Sequence, residues 1–329
     1  MEKTLIINRD QCRQILTVQR CIPAMEKALK SVSRQQVKML QRVMIGHDNG
    51  NSLAAMPASE LSRDVTGAKL IIFPGPETAK AKTNQGIIPL FEISTGRLKA
   101  IVDAELITVI RTAATSARAT KVLAKADSST VAILGSGKQG IAHAKAMIEV
   151  RPIKTVYFWD LYLRRARQAC RQMSQLYPDV NFVCCETAKK AVENADIICT
   201  TTPGKTQEPV LKGRWVKAGA HINAVGACSA NGRELDGELI SKAKVFTDWN
   251  EAVMRDGGDI LLSLKLGEID TVPQLVQIGD VLNGTSGGRQ NEEQITIFES
   301  VGISVEDIAA ADMIYNRAKE KGIGTYLEI

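Results

Sequence analysis

Val131-Ala132-Ile133-Leu134-Gly135-Ser136-Gly137-Lys138-Gln139-Gly140 is the stretch that decides the fold. A short apolar run, the length of a buried strand, passes directly into Gly-x-Gly-x-x-Gly and then into a helical pattern. Gly135, Gly137 and Gly140 permit a tight turn, close approach of backbone to a pyrophosphate and close helix–sheet packing, with Lys138 and Gln139 opening the helix. For the hexapeptide alone, a glycine-rich turn without a ligand is the plain alternative. Asp160 weighs against it, because it ends the second strand about twenty residues further on, where a carboxylate can bind both ribose hydroxyls. That placement favours NAD(H), while Arg164 and Arg165 at the start of the next helix keep NADP(H) possible.

From Thr130 onward, short β-branched runs alternate with longer amphipathic ones. Val131 to Leu134, Val156 to Trp159, Phe182 to Cys184, Ile197 to Thr200 and Ile222 to Val225 read as buried parallel strands, with helices such as Arg164 to Tyr177 between them. This is α/β architecture of the Rossmann kind. Thr201, Thr202 and Pro203 follow the fourth strand at the carboxyl edge of the sheet, where ligands bind in open α/β folds, and Val225 and Gly226 follow the fifth.

The first part of the chain reads differently. Gly67 to Phe73, Ile87 to Ile93 and Leu98 to Val102 look like strands, the last two joined through Ser94-Thr95-Gly96-Arg97 as a hairpin. A long helix from about Asp103 to Ala126 leads to Asp127-Ser128-Ser129 at the junction. Ser304 followed by Asp307 resembles a capping box opening a final helix that ends before Gly322, and this helix is placed to return to the first domain. The expected division is a Rossmann domain over 123–302 and an α+β domain over 1–122 and 303–329.

Composition excludes several classes. Hydrophobic residues at 44% and charged residues at 24% are those of a globular protein. The net charge of +6 is scattered among 36 acidic residues with only 4% aromatics, so no nucleic-acid-binding stripe is expected. Seven cysteines without framework spacing fit reduced thiols in a cytoplasm. No apolar run is long enough to span a membrane or to serve as a secretory leader. His47, His143 and His221 have no ligand spacing, so no metal site is expected.

Arg111 lies in Ile107-Thr108-Val109-Ile110-Arg111-Thr112-Ala113-Ala114, a helix of apolar and small residues. A guanidinium there needs an anion, either a substrate carboxylate held bidentately or an internal Asp or Glu. Lys69, in Gly67-Ala68-Lys69-Leu70, is placed by strand alternation to face a cleft with Arg42. Desolvation and a neighbouring cation would lower its pKa and suit it to proton exchange with an amine or imine nitrogen.

Arg42, Met56-Pro57-Ala58, Gly67-Ala68-Lys69, Asp103 through Arg111-Thr112-Ala113-Ala114, Gly135 to Gly140, Ile222-Asn223-Ala224-Val225-Gly226-Ala227 and Ser300-Val301-Gly302 together resemble the ornithine cyclodeaminase and mu-crystallin family. The resemblance covers nearly the whole chain. It implies a homodimer whose discontinuous first domain holds substrate and dimer surfaces, with the nicotinamide between the domains. It also implies that Arg42, Met56, Lys69 and Arg111 gather an amino or imino acid, Arg111 on its carboxylate and Lys69 on the proton, while Thr112 joins the cofactor residues.

One departure bears on the reaction. Ornithine cyclodeaminases have an aspartate in the loop after the Asn-Ala-Val-Gly strand, and this sequence has Cys228 there. A thiol is a poor carboxylate base, so the expectation shifts to net redox chemistry, reduction of a C=N bond α to a carboxylate by NAD(P)H or the reverse oxidation of an amino acid. Asp64, Asp248, Glu251 and Asp259 are the carboxylates that would replace the missing one. An ornithine cyclodeaminase-type lyase and a non-enzymatic small-ligand carrier are the alternatives.

Overall fold

The protein is described by a computed structural model over residues 3–75 and 85–329. In chain order, β1 (Lys3–Ile7), α1 (Arg9–Ile15), α2 (Val18–Ser33), β2 (Val37–Met39), β3 (Val43–Gly46), β4 (Ser52–Glu60), β5 (Val65–Phe73), β6 (Gln85–Glu92) and β7 (Leu98–Asp103) lead into the long α3 (Ala104–Leu123). An alternating series follows: β8 (Thr130–Leu134), α4 (Lys138–Val150), β9 (Thr155–Trp159), α5 (Leu163–Leu176), β10 (Asn181–Cys184), α6 (Ala188–Val192), β11 (Ile197–Thr200) and β12 (His221–Ala224). Then come α7 (Gly237–Lys242), β13 (Lys244–Thr247), α8 (Asn250–Asp256), α9 (Gly258–Lys265), β14 (Leu275–Gln277), α10 (Ile278–Asn283) and β15 (Thr296–Glu299), with α11 (Ser304–Lys321) and β16 (Thr325–Glu328) last. Contacts divide the chain into one unit of residues 1–111 and 303–329 and a second of 112–302.

The second unit is built on a parallel sheet of order β10-β9-β8-β11-β12-β15-β13-β14. All residues of β11, β12 and β15 are buried, the usual state of a parallel strand covered on both faces, which is why β11 and β12 show no polar alternation in the sequence. The five strands expected from the sequence are present, and β13, β14 and β15 extend the sheet. Strand order reverses direction at β8, with β9 on one flank and β11 on the other, so the crevice expected for a ligand opens at the carboxyl end of β8.

The first unit carries a mixed sheet, β16-β1-β7-β6-β5-β4-β2, with β3 also paired to β4. The hairpin between β6 and β7 turns through Gly96, whose φ of +72° is the left-handed region that favours glycine. Pro57 stands inside β4, and a proline there needs a flank without a ladder acceptor for its missing N–H. The flank is interrupted at that level: β2 pairs as far as Met39 with Ala58, β3 resumes at Val43 with Ala55, and Leu40 N donates to the Pro57 carbonyl. Arg42 stands in this interruption, between the two paired segments.

Helix α11 belongs to the first unit and packs on α2, β4, β5 and β6. Its entry corrects the expectation of a capping box. Ile303 is the N-cap, with no side-chain hydrogen bond to the first turn, and Asp307 is turned into the unit's interior.

Candidate active site

In the second unit the Gly135–Gly140 turn forms a cradle whose shape is set by its glycines. Gly135 has φ of +100°, and a Cβ there would lie 2.8 Å from the Thr201 carbonyl oxygen. A Cβ on Gly140 would collide with the Gly135 carbonyl, whereas one on Gly137 would meet nothing within 4 Å. The first and last glycines therefore close the turn on the sheet. Gly137, the exposed N-cap of α4, leaves open space before the helix N–H groups, and that is the space a pyrophosphate requires. Lys138 is exposed and Gln139 half-buried in the first turn of α4.

Asp160, at the end of β9, accepts Ser136 N–H at 2.9 Å on one carboxylate oxygen and Tyr162 N–H at 2.9 Å on the other. The carboxylate is thus fixed against the glycine turn, with lone pairs remaining for ribose hydroxyls. Arg165 stacks over the Tyr162 ring, 4.9 Å from its centre. At the neighbouring strand end, Thr201 Oγ1 donates to the Gly135 carbonyl at 2.8 Å. Thr202, Val225 and Gly226 lie just beyond β11 and β12, Pro203 is exposed next to them, and Thr112 is half-buried on α3.

In the first unit, Lys69 and Arg111 are buried, and the element joining them is α11. Lys69 Nζ is 2.7 Å from Asp307 Oδ2, Arg111 Nε is 2.9 Å from Asp307 Oδ1, and Arg111 Nη1 is 2.5 Å from Glu306 Oε2. Arg111 therefore has the internal acidic partners that the sequence left open as one alternative. Met56 is the direct cross-strand partner of Lys69, so the two share one face of the sheet, and both are buried.

Burial pushes the Lys69 ammonium down to about 8; Asp307 pulls it up, and Arg111 and Arg42 push it further down. Burial acts to raise Asp307, but the charges of Arg111 and Lys69 outweigh it and hold this carboxyl below its usual range. The arrangement is a lysine poised to gain or lose a proton near neutrality, with a carboxylate that orients it and a guanidinium locked alongside.

Cys228 is half-buried in the loop after β12, its Sγ 3.4 Å from the Val225 carbonyl. Of the carboxylates considered in its place, Asp64, Asp248 and Asp259 are held by other partners. Asp64 accepts Ser94 N–H and Oγ–H in a turn, and Glu251 is exposed on α8. Asp248 accepts Ser300 Oγ–H and Gly302 N–H, and Asp259 accepts the N–H groups of Glu234 and Leu235. The sequence reading missed Asp307 and Glu306. The signal available for them was an Asp and a Glu in the first turn of a helix that is otherwise buried, where charge is costly unless paired.

These features define a class, α/β proteins that pair a dinucleotide-type Rossmann unit with a second α+β unit. The chain belongs to the ornithine cyclodeaminase/mu-crystallin family, whose profile matches residues 2–322. It is 35% identical over 300 residues to the ketimine reductase mu-crystallin of Mus musculus, covering 90% of this chain and 91% of that protein. Among solved structures, the Thermococcus litoralis Delta(1)-pyrroline-2-carboxylate reductase in complex with NADH and L-proline superposes with a TM-score of 0.92 at 30% identity, covering 98% of this chain and all of that one. An archaeal alanine dehydrogenase dimer with bound NAD gives a TM-score of 0.89 at 28% identity, with both chains fully covered.

Proposed function

We propose that this protein is an NAD(H)-dependent oxidoreductase that reduces the C=N bond of an imino acid, including cyclic ketimines, at the carbon next to a carboxylate, or oxidises the corresponding amino acid. The single observation that carries the reading is the buried Lys69–Asp307–Arg111 cluster, in a chain whose relatives are reductases of C=N groups.

The bound dinucleotide supplies the hydride when reduced and accepts it when oxidised. The rest of the chemistry falls to the chain. Lys69, protonated at neutral pH and held by Asp307, donates its proton to the imine nitrogen, which makes the adjacent carbon a better hydride acceptor; in the reverse direction neutral Lys69 takes that proton back. Arg111 and Arg42 supply the positive charge that draws the substrate carboxylate, and Met56 packs beside Lys69. Asp160 favours NAD(H), because a carboxylate that accepts ribose hydroxyls repels a 2′-phosphate. Cys228 favours net reduction over cyclodeamination, since a thiol there offers no carboxylate base.

We also infer a homodimer, as in the alanine dehydrogenase structure, and a cytoplasmic location from seven cysteines whose spacing fits no disulfide framework. Among the described residues no helix is long and apolar enough to cross a membrane.

The test is a panel of cyclic ketimines, 2-oxo acids with amines, and ornithine, followed at the absorbance of reduced nicotinamide with products identified by mass. Consumption of NADH with formation of the cyclic or N-substituted amino acid supports the reading. Ammonia released from ornithine with no net change in NADH would replace it with a lyase, and inactivity throughout with a ligand carrier.

A further inference from the structure

Glu234 lies in the segment after β12, fully buried, and its carboxyl group accepts hydrogen bonds from hydroxyls and backbone amides. Oε1 accepts Thr202 N–H at 2.6 Å and Thr202 Oγ–H at 2.6 Å; Oε2 accepts Thr200 Oγ–H at 2.7 Å and Gly226 N–H at 2.8 Å. One carboxyl group thus ties the end of β11 and the turn after it to the turn after β12. Gly226 makes the approach possible, because a Cβ there would fall on the Thr202 carbonyl and 2.5 Å from Glu234 Oε1.

Sheet order says what those two turns face. The pyrophosphate cradle is at β8 and the ribose carboxylate Asp160 is at β9, so the adenosine half of a dinucleotide runs toward β9. The other half must run the opposite way, across the carboxyl ends of β11 and β12. We propose that Glu234 is a positioning residue that fixes the floor under the nicotinamide half of the cofactor by clamping Thr202 to Gly226; the proposal rests on the oxidoreductase reading above.

The clamp needs a carboxylate in particular. Thr202 N–H and Gly226 N–H donate only, one to each oxygen, so both oxygens must accept. An amide of the same shape would turn its NH2 against one of them. Burial and neighbouring Asp259 push the Glu234 carboxyl up to about 7, and the hydrogen bonds from Thr202 and Thr200 oppose that rise. The backbone of Glu234 is anchored independently of its side chain: its N–H donates to Asp259 at 2.5 Å, and its carbonyl accepts Val210 N–H and Leu211 N–H at 2.9 Å each. A side-chain substitution therefore leaves the segment in place.

The experiment compares NADH with ADP, which carries the adenosine half and the phosphates but lacks the nicotinamide half. On the purified full chain, NADH affinity is read from its fluorescence, ADP affinity from competition, and folding from the thermal midpoint. Glu234→Gln is expected to weaken NADH about tenfold, the loss of one hydrogen bond to a charged group, and to leave ADP within about twofold. Thr200→Val removes one arm from a fully buried position that no ligand reaches, and should weaken NADH about threefold with ADP unchanged. It carries the test if the glutamine variant does not fold. Equal losses for NADH and ADP, or unaltered NADH affinity, would overturn the clamp. A wild-type protein that binds neither ligand would instead overturn the oxidoreductase reading.

Discussion

Replacing Asp307 with asparagine removes the carboxylate 2.7 Å from Lys69 Nζ and keeps the side chain's size. An opposite charge at this range raises a lysine pKa by about 1 to 3 units, so its loss should bring Lys69 from about 8 to between about 5 and 7. The sign follows from the roles: imine reduction needs protonated Lys69, so the wild-type kcat falls as pH rises through about 8, and the variant's kcat falls through the lower value. With a pKa near 8 roughly nine-tenths of the lysine is protonated at pH 7, and with one near 6.5 roughly a quarter, so kcat at pH 7 should drop about fourfold from protonation alone. At pH 5.5 the two enzymes should approach each other. The assay is kcat for ketimine reduction at saturating NADH from pH 5.5 to 9, with a thermal midpoint as control, because breaking a buried ion pair costs about 3–5 kcal/mol. A limb that stays at about 8, or moves upward, would refute the coupling of Asp307 to the proton donor.

Three further outcomes are expected. Lys69→Met should lower kcat by about 10² to 10⁴ at neutral pH while NADH affinity, read by fluorescence, stays unchanged; a near-normal rate would remove Lys69 from proton transfer. Asp160→Ser should weaken NADH by about a hundredfold and improve NADPH relative to NADH, because two hydrogen bonds to a carboxylate are lost together with its repulsion of a 2′-phosphate; an unchanged ratio in paired titrations would count against its ribose role. Gly140→Ala should abolish dinucleotide binding or folding, since its Cβ meets the Gly135 carbonyl, and calorimetry distinguishes the two; normal NADH affinity would sink the account of the turn.

The glycine turn proposed to cradle the dinucleotide was legible because it is local. Gly135, Gly137 and Gly140 act within one turn, and the strand before them and helix after them carry their own periodicities. Asp160 was legible through a single strand–helix–strand spacing. The strands β13, β14 and β15 were given no bounds in the sequence, although β13 and β15 are as long as β10, β11 and β12, so strand length alone does not account for the difference. Glu234 carries no local signature, since its four donors come from three residues on two other segments. Asp307 was misread for an instructive reason: Ser304 and Asp307 have cap spacing, but the acid at that position is 196 residues from the guanidinium it serves, and no local pattern encodes a partner so far along the chain.

That distance also explains why the chain returns to its first unit. Lys69 on β5 and Arg111 on α3 are buried cations that β5 and α3 alone leave unneutralised, and an unpaired buried cation is costly enough to expel itself or lose its proton. Helix α11 supplies Asp307 and Glu306 from its first turn, where acidic side chains are also favoured by the helix dipole. The return makes burial of Lys69 and Arg111 affordable, and Arg42, close enough to depress Lys69, adds a third positive charge to the same neighbourhood. Arg42→Gln should therefore raise KM for the imino acid while leaving the Lys69 limb of the pH profile at or slightly above its wild-type position, because Arg42 depresses the Lys69 ammonium. A limb that moves to lower pH in this variant, measured as kcat for ketimine reduction from pH 5.5 to 9, would show that Arg42 does not act on Lys69.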